Sequence, residues 1–271
     1  MDFTDLNKAC PKDSYLLSKI NKLVDTTDRH ASLSSMDAFS GYHQMPLCPE
    51  NQEKTTFTMN RGLHCYKMMP FGLKNAGATY QRLVNKLFEP LIGKTLEVHV
   101  DYMIVKSKTD GDHGHDLRKM VNILWAFSMK LNPKKCIFGV RSSKFLGFMI
   151  SSRRIKANLD KIQVVLDIKP PQNVREVQRL IGCTATLGRF ISRSADKCHL
   201  FFRVLRQRPN FSWDRQANEP FQALKTYLAQ LPKIASLLEK EILVLYSAVS
   251  EHAVSAVLVV ERLRSRSLCT M

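Results

Sequence analysis

Apolar and polar positions alternate most clearly between Thr95 and Ser107. Val98 and Val100 alternate with polar neighbours, and two further β-branched residues follow Asp101-Tyr102. Strict alternation is typical of half-buried strands, so this stretch predicts a hairpin with its turn at Asp101-Tyr102. A carboxylate held at the tip of a rigid hairpin suits a metal ligand, and an ordinary turn aspartate gives the same pattern. Both interpretations stay open at this point.

Further strand and helix patterns surround this hairpin. A strand from Leu33 to Phe39 contains Asp37 near its end, and the glycine turn Asn60–Gly62 predicts a second hairpin. The remaining elements of this part are predicted as helices over 16–24, 78–91 and 116–129, the hairpin over 55–69, and strands over 131–138 and 144–150. This order indicates an α+β fold with helices packed on one face of an antiparallel sheet.

The composition changes near residue 157, where helical patterns take over. Pro170-Pro171 breaks the chain, and Asn173 is placed to cap a long helical stretch. The elements predicted here are helices over 157–168, 174–207 (with one or two breaks) and 218–228, and a final apolar hairpin formed by 242–246 and 253–260. No element is predicted for residues 261–271.

Charge is the most informative property of the composition. The 271 residues carry a net charge of +17, and the pI is near 9.7. Residues 169–215 hold ten Lys and Arg against three Asp and Glu. A positive field attracts polyanions such as nucleic acid, and a solvated basic surface has the same composition. Within this stretch the arginines at 175 and 179, and those at 189 and 193, have the i,i+4 spacing of one helix face.

Other patterns argue against several classes of protein. No apolar run of about 18 residues predicts a transmembrane helix, and the first residues lack a signal-peptide pattern. Seven single cysteines without a Cys-x-x-Cys pair argue against a zinc ribbon and a disulfide framework, and favour a reducing, intracellular compartment. Asp112, His113, His115 and Asp116 are metal-ligand types, but acidic residues at a helix N-terminus explain them better.

Asp37 and Asp101 both lie at strand ends, and pairing of those strands would bring their carboxylates together. Phosphoryl transfer between nucleotides uses two divalent cations about 3.5–4 Å apart, and magnesium prefers carboxylate oxygens. The two aspartates are therefore candidate metal ligands. A Pro-Phe-Gly loop, Pro70–Gly72, opens a helix between them in the chain.

Four blocks, in this order, resemble the reverse transcriptase of plant Ty3/Gypsy-type long-terminal-repeat retrotransposons. The blocks are Asp37-Ala38-Phe39-Ser40-Gly41-Tyr42-His43-Gln44, Met69-Pro70-Phe71-Gly72-Leu73-Lys74-Asn75-Ala76, Val100-Asp101, and Phe145-Leu146-Gly147-Phe148. One block alone is a weak signal, whereas four in order are specific. The similarity runs from about Asp2 to Val259.

The resemblance implies a right-hand polymerase that copies RNA into DNA from deoxynucleoside triphosphates with two Mg²⁺ ions. Its partners would be an RNA or DNA template–primer, the dNTP substrate and other segments of a retrotransposon polyprotein, with no membrane. The implied subdomains are partial fingers and palm over 1–155, a thumb over 156–210, a connection over 211–240, the start of an RNase H-like domain over 241–260, and an unrelated tail over 261–271.

The resemblance also implies roles for individual residues. Asp37 and Asp101 would be the catalytic residues and the metal ligands, and Tyr42 would exclude a 2′-hydroxyl by its bulk. The implied nucleotide pocket consists of Phe39, Tyr42, Gln44, Phe71, Gly72, Lys74 and Asn75. The implied nucleic-acid contacts are Phe145, Leu146, Gly147, Arg175, Arg179, Arg189 and Arg193.

Two departures from the family pattern bear on activity. The hairpin tip reads His99-Val100-Asp101-Tyr102 where the family has Tyr-Val-Asp-Asp, so Tyr102 replaces the third metal carboxylate. In the RNase H-like start, Ala248 stands where the family has an acid. From the loss of the third metal carboxylate at Tyr102 we expect severely reduced or absent polymerase activity. The alternatives are a working polymerase, a degenerate copy that only binds nucleic acid, and an unrelated basic α+β protein.

Overall fold

The computed structural model describes residues 2–152, 154–191, 194–206, 211–230, 234–235, 241–249, 254–262 and 265–268. The chain divides into two compact units, residues 1–146 and residues 147–271. Within the described ranges, no helix combines the length and the apolar character that crossing a membrane requires.

The first unit contains short helices, one long helix pair and a central sheet. In chain order its elements are α1 (Thr4–Ala9), α2 (Ile20–Thr26), β1 (Ser32–Asp37), α3 (Pro49–Gln52), β2 (Phe57–Met59), β3 (Gly62–His64), α4 (Ala76–Leu87), β4 (Leu96–His99), β5 (Tyr102–Ser107), α5 (Asp110–Ala126), β6 (Ile137–Val140) and β7 (Ser142–Phe145). The predicted small hairpin is present as β2 and β3, with Gly62 at a φ of 116°.

The central sheet has the strand order β4-β5-β1-β6, and every pair is antiparallel. All residues of β1 are buried, because the strand lies in the middle of the sheet. Its register with β5 runs from Ser32 opposite Ser107 to Asp37 opposite Tyr102. This register sets which side chains meet at the end of the sheet.

A single apolar core lies between the sheet and the helices α4 and α5. Met36, Val98 and Met103 of the sheet share this core with Tyr80 of α4 and Met120 of α5. Apolar residues recur on one face of each helix, and burying that face against the sheet removes apolar surface from water. The predicted α+β layer arrangement is therefore confirmed for this unit.

Several boundaries in the first unit differ from the sequence prediction; the strand predicted over 131–138, for example, is a 3-10 turn at Pro133–Lys135 followed by β6. The hairpin turn is Val100-Asp101, because His99 pairs with Tyr102 and Val100 has a positive φ of 54°. The first predicted helix begins only at Ile20, and Leu16 ahead of it is 90% exposed. Helix α5 begins at Asp110, because the side chain of Thr109 caps it by accepting an N–H bond within the first turn.

The second unit is mainly helical and ends in strands. Its elements are β8 (Phe148–Ser151), β9 (Arg154–Ala157), α6 (Leu159–Asp167), α7 (Val174–Thr186), α8 (Ser194–Arg206), α9 (Arg215–Ala229), β10 (Ile234–Ala235), β11 (Leu243–Val249), β12 (Val254–Arg262) and β13 (Ser265–Leu268). Strand β9 pairs with both β8 and β10. Buried residues such as Val177, Phe201 and Phe221 form the interior of the helical part.

Two sequence predictions for this part change. The strand predicted over 144–150 is two strands, because Leu146 and Gly147 between them have positive φ values of 48° and 85°. The helical stretch over 174–207 is present with a break as predicted, since a 3-10 turn at Gly188–Phe190 separates α7 from α8. The segment after 261, predicted without structure, contributes β13, which pairs with β12 because backbone bonding needs no apolar pattern. The predicted hairpin of β11 and β12 is present, and its RNase H-like identity stays a prediction.

Candidate active site

Backbone pairing brings Asp37 and Asp101 to the same end of the central sheet. Asp37 is the last residue of β1 and lies opposite Tyr102, the first residue of β5. The N–H of Ala38 donates to the carbonyl of Asp101 at 3.0 Å. Strand pairing therefore joins the two predicted carboxylate positions, although they are distant in the sequence.

The turn that carries Asp101 is held by a buried glutamine. A positive φ at a β-branched residue such as Val100 costs on the order of 1–3 kcal/mol. Oε1 of Gln81 accepts the N–H of Val100, and Nε2 of Gln81 donates to the carbonyl of Val98 at 3.3 Å. Gln81 is fully buried on α4, so it ties the strained turn to the helix. The sequence analysis missed this residue, although a polar amide on the apolar face of α4 was an available signal.

Burial disfavours negative charge at this end of the sheet. It raises the pKa of Asp101, and the charge of Asp37 raises that pKa further. Burial also raises the pKa of the Tyr102 phenol, with a second contribution from Asp37. Tyr102 is therefore neutral at neutral pH and supplies none of the negative charge of an aspartate. Its ring packs against buried Phe145, with ring centroids 5.9 Å apart.

An ammonium group lies against the carboxylate of Asp37. Nζ of Lys135 is 3.3 Å from one carboxylate oxygen and 3.5 Å from the other. The backbone holds this arrangement, because the N–H of Asn132 donates to the carbonyl of Asp37 at 2.8 Å and a 3-10 turn at Pro133–Lys135 follows directly. The sequence analysis missed Lys135, and no local pattern signals it, since the contact depends on how the chain returns to β1 after α5.

The charged groups at this site do not match the needs of two divalent ions. Hard cations such as Mg²⁺ require several oxygen ligands each. Groups of three or more His, Cys, Asp or Glu placed to hold a metal are absent from the described residues. Asp37 and Asp101 are the carboxylates available, Tyr102 is neutral, and Asp37 already has a cationic partner.

The histidine-rich start of α5 serves the fold. Nε2 of His113 lies 2.7 Å from Oγ of Ser34, and Nδ1 lies 2.9 Å from Oγ of Ser107. Ser107 donates in turn to Asp116 at 2.8 Å. These contacts attach α5 to β1 and β5, and the acidic residues of the first turn suit a helix N-terminus. The sequence-based interpretation of these residues as a helix N-terminus agrees with the observed start of α5.

An aromatic cluster lies near Asp101. The ring of Tyr42 contacts those of Phe71 and Tyr80, with centroids 5.2 Å and 5.7 Å apart, and Phe71 also contacts His43 at 4.9 Å. Burial raises the pKa of Tyr42, and the charge of Asp101 adds to the effect. Phe71 is half exposed at the open side of the cluster, whereas Tyr80 is fully buried beneath it. The structure thus brings together two residues predicted for the nucleotide pocket, Tyr42 and Phe71.

Gln44, predicted for the same pocket, is engaged in structural hydrogen bonds. Its Nε2 donates to the carbonyls of Phe39 and Lys130 at 2.6 Å and 2.9 Å, and its Oε1 accepts the N–H of Lys130 at 2.7 Å. These bonds attach the chain after α5 to the end of β1. The ring of Phe39 is 54% exposed and so remains accessible to a ligand.

Gly72, Lys74 and Asn75 hold the N-terminal segment, residues 7–13, against the Pro-Phe-Gly loop. The carbonyl of Gly72 accepts the side-chain amide of Asn7 at 2.8 Å. Nζ of Lys74 donates to two carbonyls of the segment, at 3.2 Å and 2.7 Å. The amide of Asn75 donates to one carbonyl and accepts one N–H of the same segment. Their predicted role in nucleotide binding stays a prediction.

The predicted element Phe145–Gly147 is a tight turn. Phe145 is fully buried, and its ring packs against the ring of Tyr102. Gly147 has a positive φ of 85°, a backbone conformation that side chains other than glycine rarely adopt, and an added Cβ would also meet the flexible end of Lys161. The turn therefore requires glycine, and contact of the turn with nucleic acid stays a prediction.

The predicted basic residues differ in their placement. Arg175 and Arg179 are both exposed on α7, as their spacing predicts. Arg189 lies in the 3-10 turn after α7, which ends at Thr186, and is half-buried. Arg193 lies outside the described residues, so the predicted i,i+4 pair stays a prediction.

Comparison with known proteins identifies related sequences. The family model described as Reverse transcriptase (RNA-dependent DNA polymerase) matches residues 1–150. The chain is 30% identical over 191 residues to the Retrovirus-related Pol polyprotein from transposon opus of Drosophila melanogaster, which covers 70% of this chain and 19% of that protein. It is 25% identical over 262 residues to the Transposon Tf2-3 polyprotein of Schizosaccharomyces pombe. That match covers 95% of this chain and 19% of that protein. The chain thus spans about a fifth of the length of these relatives.

Solved structures with the same fold are more distant in sequence. A foamy viral protease-reverse transcriptase in complex with an RNA/DNA hybrid matches with a TM-score of 0.82 at 19% identity, over 96% of this chain and 35% of that chain. A foamy viral protease-reverse transcriptase in complex with dsDNA matches with a TM-score of 0.83 at 18% identity. That match covers 98% of this chain and 56% of that chain. This similarity confirms the predicted polymerase fold. Since the family model covers more than half of the sequence, the chain belongs to the reverse transcriptase (RNA-dependent DNA polymerase) family and is related to retrotransposon Pol polyproteins.

Proposed function

We propose that this chain is the polymerase part of a retrotransposon Pol protein that binds a template–primer duplex but has severely reduced RNA-directed DNA polymerase activity. One observation carries the proposal: a neutral, half-buried phenol, Tyr102, lies opposite Asp37 where the family motif has an aspartate. The substrates would be dNTPs, selected beside Tyr42 and Phe71. The plant Ty3/Gypsy type and the subdomain boundaries are part of this proposal.

The size of the electrostatic loss supports impairment. Members of this family generally use divalent metal ions. Two such ions about 4 Å apart repel each other by about 16 kcal/mol at an effective dielectric of about 20. Carboxylates offset that repulsion, and electrostatic stabilisation is usually the largest contribution in such catalysis. Loss of one full negative charge beside Asp37 therefore removes a main source of rate enhancement.

The second candidate is a non-catalytic protein that retains nucleic-acid binding. The net charge of +17 and the exposed Arg175 and Arg179 favour this activity, because cationic side chains attract phosphates whether or not chemistry follows. Relatives of the fold were solved with an RNA/DNA hybrid and with dsDNA, which supports a duplex as the ligand.

A primer-extension assay with Mg²⁺ or Mn²⁺ tests the proposal. We expect Tyr102→Asp to extend a primer at least about 100-fold faster than the unmodified chain, because it restores the missing charge. Tyr102→Phe is the matched control, since it removes only the hydroxyl, and it should behave like the unmodified chain. Comparable extension by Tyr102→Asp and the unmodified chain would refute the role assigned to this position, and thermal unfolding of each variant checks that it is folded.

A further inference from the structure

We propose that Lys135 is the resident cation of this site, and that divalent ions must compete with its ammonium group for the carboxylate of Asp37. The inference rests on the proposed function in one respect, the identity of Asp37 and Asp101 as metal-binding carboxylates. It goes further because it assigns a second cause of weak metal binding, separate from Tyr102.

The ammonium group of Lys135 covers the carboxylate of Asp37. Nζ of Lys135 lies at similar distances, 3.3 Å and 3.5 Å, from the two oxygens of Asp37. Both oxygens are therefore engaged by one cation. The side chain of Asp37 is only 10% exposed, whereas that of Lys135 is 62% exposed. The ammonium group thus reaches the carboxylate from the solvent side, the side from which an ion would arrive.

Backbone contacts position Lys135 beside Asp37. Its 3-10 turn is fixed to the strand that carries the carboxylate by the Asn132 N–H bond to the carbonyl of Asp37. The side chain of Asn132 accepts the N–H of Lys134 at 3.2 Å and thereby caps the same turn. Sγ of Cys136 also donates to the carbonyl of Asn132, at 3.1 Å. The backbone around Lys135 is therefore ordered by contacts independent of the ion pair.

The charges at this end of the sheet nearly cancel. Asp37 and Asp101 supply two negative charges, Lys135 supplies one positive charge, and Tyr102 supplies none. A site with a single net negative charge holds one hard cation weakly and two poorly, because each added ion must also repel the ammonium group.

The neighbouring lysine provides a control within the same turn. Lys134 carries the same charge one residue earlier, is exposed, and forms no ion pair in the described part of the chain. Removing Lys134 changes the net charge equally but leaves the carboxylate covered. A difference between the two lysines therefore reports contact with Asp37 and not the overall charge.

Binding of Mn²⁺ to the full chain without nucleic acid, followed by electron paramagnetic resonance of the free ion, tests this inference. We expect Lys135→Ala to tighten Mn²⁺ binding about five- to tenfold, and Lys134→Ala to change it by less than about twofold. In an Asp37→Asn background, Lys135→Ala should bring no tightening, because the shared carboxylate is gone. Equal affinities for the Lys135→Ala and Lys134→Ala variants would overturn the inference.

The same titration separates this inference from the proposed function. Tighter Mn²⁺ binding by Tyr102→Asp, without any effect of Lys135→Ala, would leave the proposed function standing and remove only the resident-cation role. Absence of Mn²⁺ binding in every variant, including Tyr102→Asp, would overturn the metal-ligand assignment of both aspartates and both proposals with it.

Discussion

Tyr80 shows how a single residue beneath the aromatic cluster affects stability. Its ring is fully buried, and its hydroxyl has no hydrogen-bond partner among the described residues. A Cβ added at Gly41 would lie 3.0 Å from this hydroxyl, so the glycine makes room for the ring. Burial, followed by the charge of Asp101, raises the pKa of Tyr80, and the group stays a neutral phenol. A buried hydroxyl without a partner costs free energy.

We predict that Tyr80→Phe raises the free energy of unfolding by about 1 kcal/mol, because it removes an unsatisfied polar group and keeps the ring. Urea unfolding followed by circular dichroism measures the change. Tyr42→Phe, at a less buried ring in contact with Tyr80, should stay within about 0.5 kcal/mol of the unmodified chain. A loss of stability in Tyr80→Phe would instead indicate that the hydroxyl bonds a buried water.

At the scale of elements, the β4–β5 hairpin is held at both ends by polar contacts. Gln81 holds its turn, and an ion pair holds the opposite end, where Nζ of Lys106 lies 2.7 Å from Oε1 of Glu97. Both side chains are nearly inaccessible to solvent. Lys106 also donates to the carbonyl of Thr26 at 2.6 Å, which joins the hairpin to α2. A buried pair of this kind is costly to break, because the remaining charge keeps its desolvation penalty.

Glu97→Gln should therefore lower the free energy of unfolding by about 3–5 kcal/mol, since it leaves the ammonium group of Lys106 buried without a counter-charge. The double variant Glu97→Leu with Lys106→Met should be much closer to the unmodified chain, because no charge is left uncompensated. Chemical denaturation of the three proteins gives both values. If the double variant were as unstable as Glu97→Gln, the cost would lie in packing and not in charge.

The contact between α5 and the sheet depends on a neutral histidine. Burial lowers the pKa of His113 below its ordinary value of 6.5, while the charges of Asp116 and Asp110 partly oppose this. Ser107 donates to Asp116, so its oxygen accepts from Nδ1–H of His113, and Nε2 accepts from Ser34. This arrangement matches the neutral imidazole.

Stability should therefore fall as the pH drops from 7.5 to 5.5. The unfolded chain takes up the proton of His113 near pH 6.5 and the folded chain only at lower pH, so the unfolded state binds more protons in this window. His113→Gln should reduce the pH dependence, measured by denaturation at the two pH values. Exposed His115→Gln is the control and should keep the full dependence. An unchanged dependence in His113→Gln would assign the effect to other groups, such as half-buried His30 and His99.

At the scale of the whole molecule, the excess of positive charge is the dominant property. The net charge of +17 attracts phosphates. Salt screens this attraction beyond the Debye length, which is about 8 Å at physiological ionic strength. Arg175 and Arg179 concentrate part of this charge on the exposed face of α7. Phosphate contacts of this kind release counterions, so binding should weaken steeply as salt is added.

Replacement of Arg175 and Arg179 by alanine should reduce the slope of log affinity against log salt by about 2, because each phosphate contact contributes about 0.9. Fluorescence anisotropy of a labelled primer–template duplex at several salt concentrations measures the slope. Alanine at both Arg118 and Lys119, exposed residues of α5, removes the same charge and should leave the slope nearly unchanged. A flat slope for the unmodified chain would contradict phosphate binding altogether.

Much of the fold follows from local sequence patterns, and the incorrectly predicted element boundaries also have local causes. Alternation between Leu96 and Ser107 predicts β4 and β5, but not that a valine adopts the positive φ at the turn. Apolar spacing predicts a helix near residue 16, although Leu16 meets no core. Motif order predicts Asp37 and Asp101 as the centre of the site. It does not indicate that Lys74 and Asn75 bond to the N-terminal segment.

The sequence by itself determined the α+β class, the family, the excess of positive charge and the presence of Tyr102 directly after Asp101. Each of these is a property of contiguous residues or of composition, so no spatial information is needed. Only the tertiary structure decided that Lys135 covers Asp37 and that Gln81 holds the turn before Asp101. These contacts join residues far apart in the chain, and strand register and helix docking alone determine which of them meet.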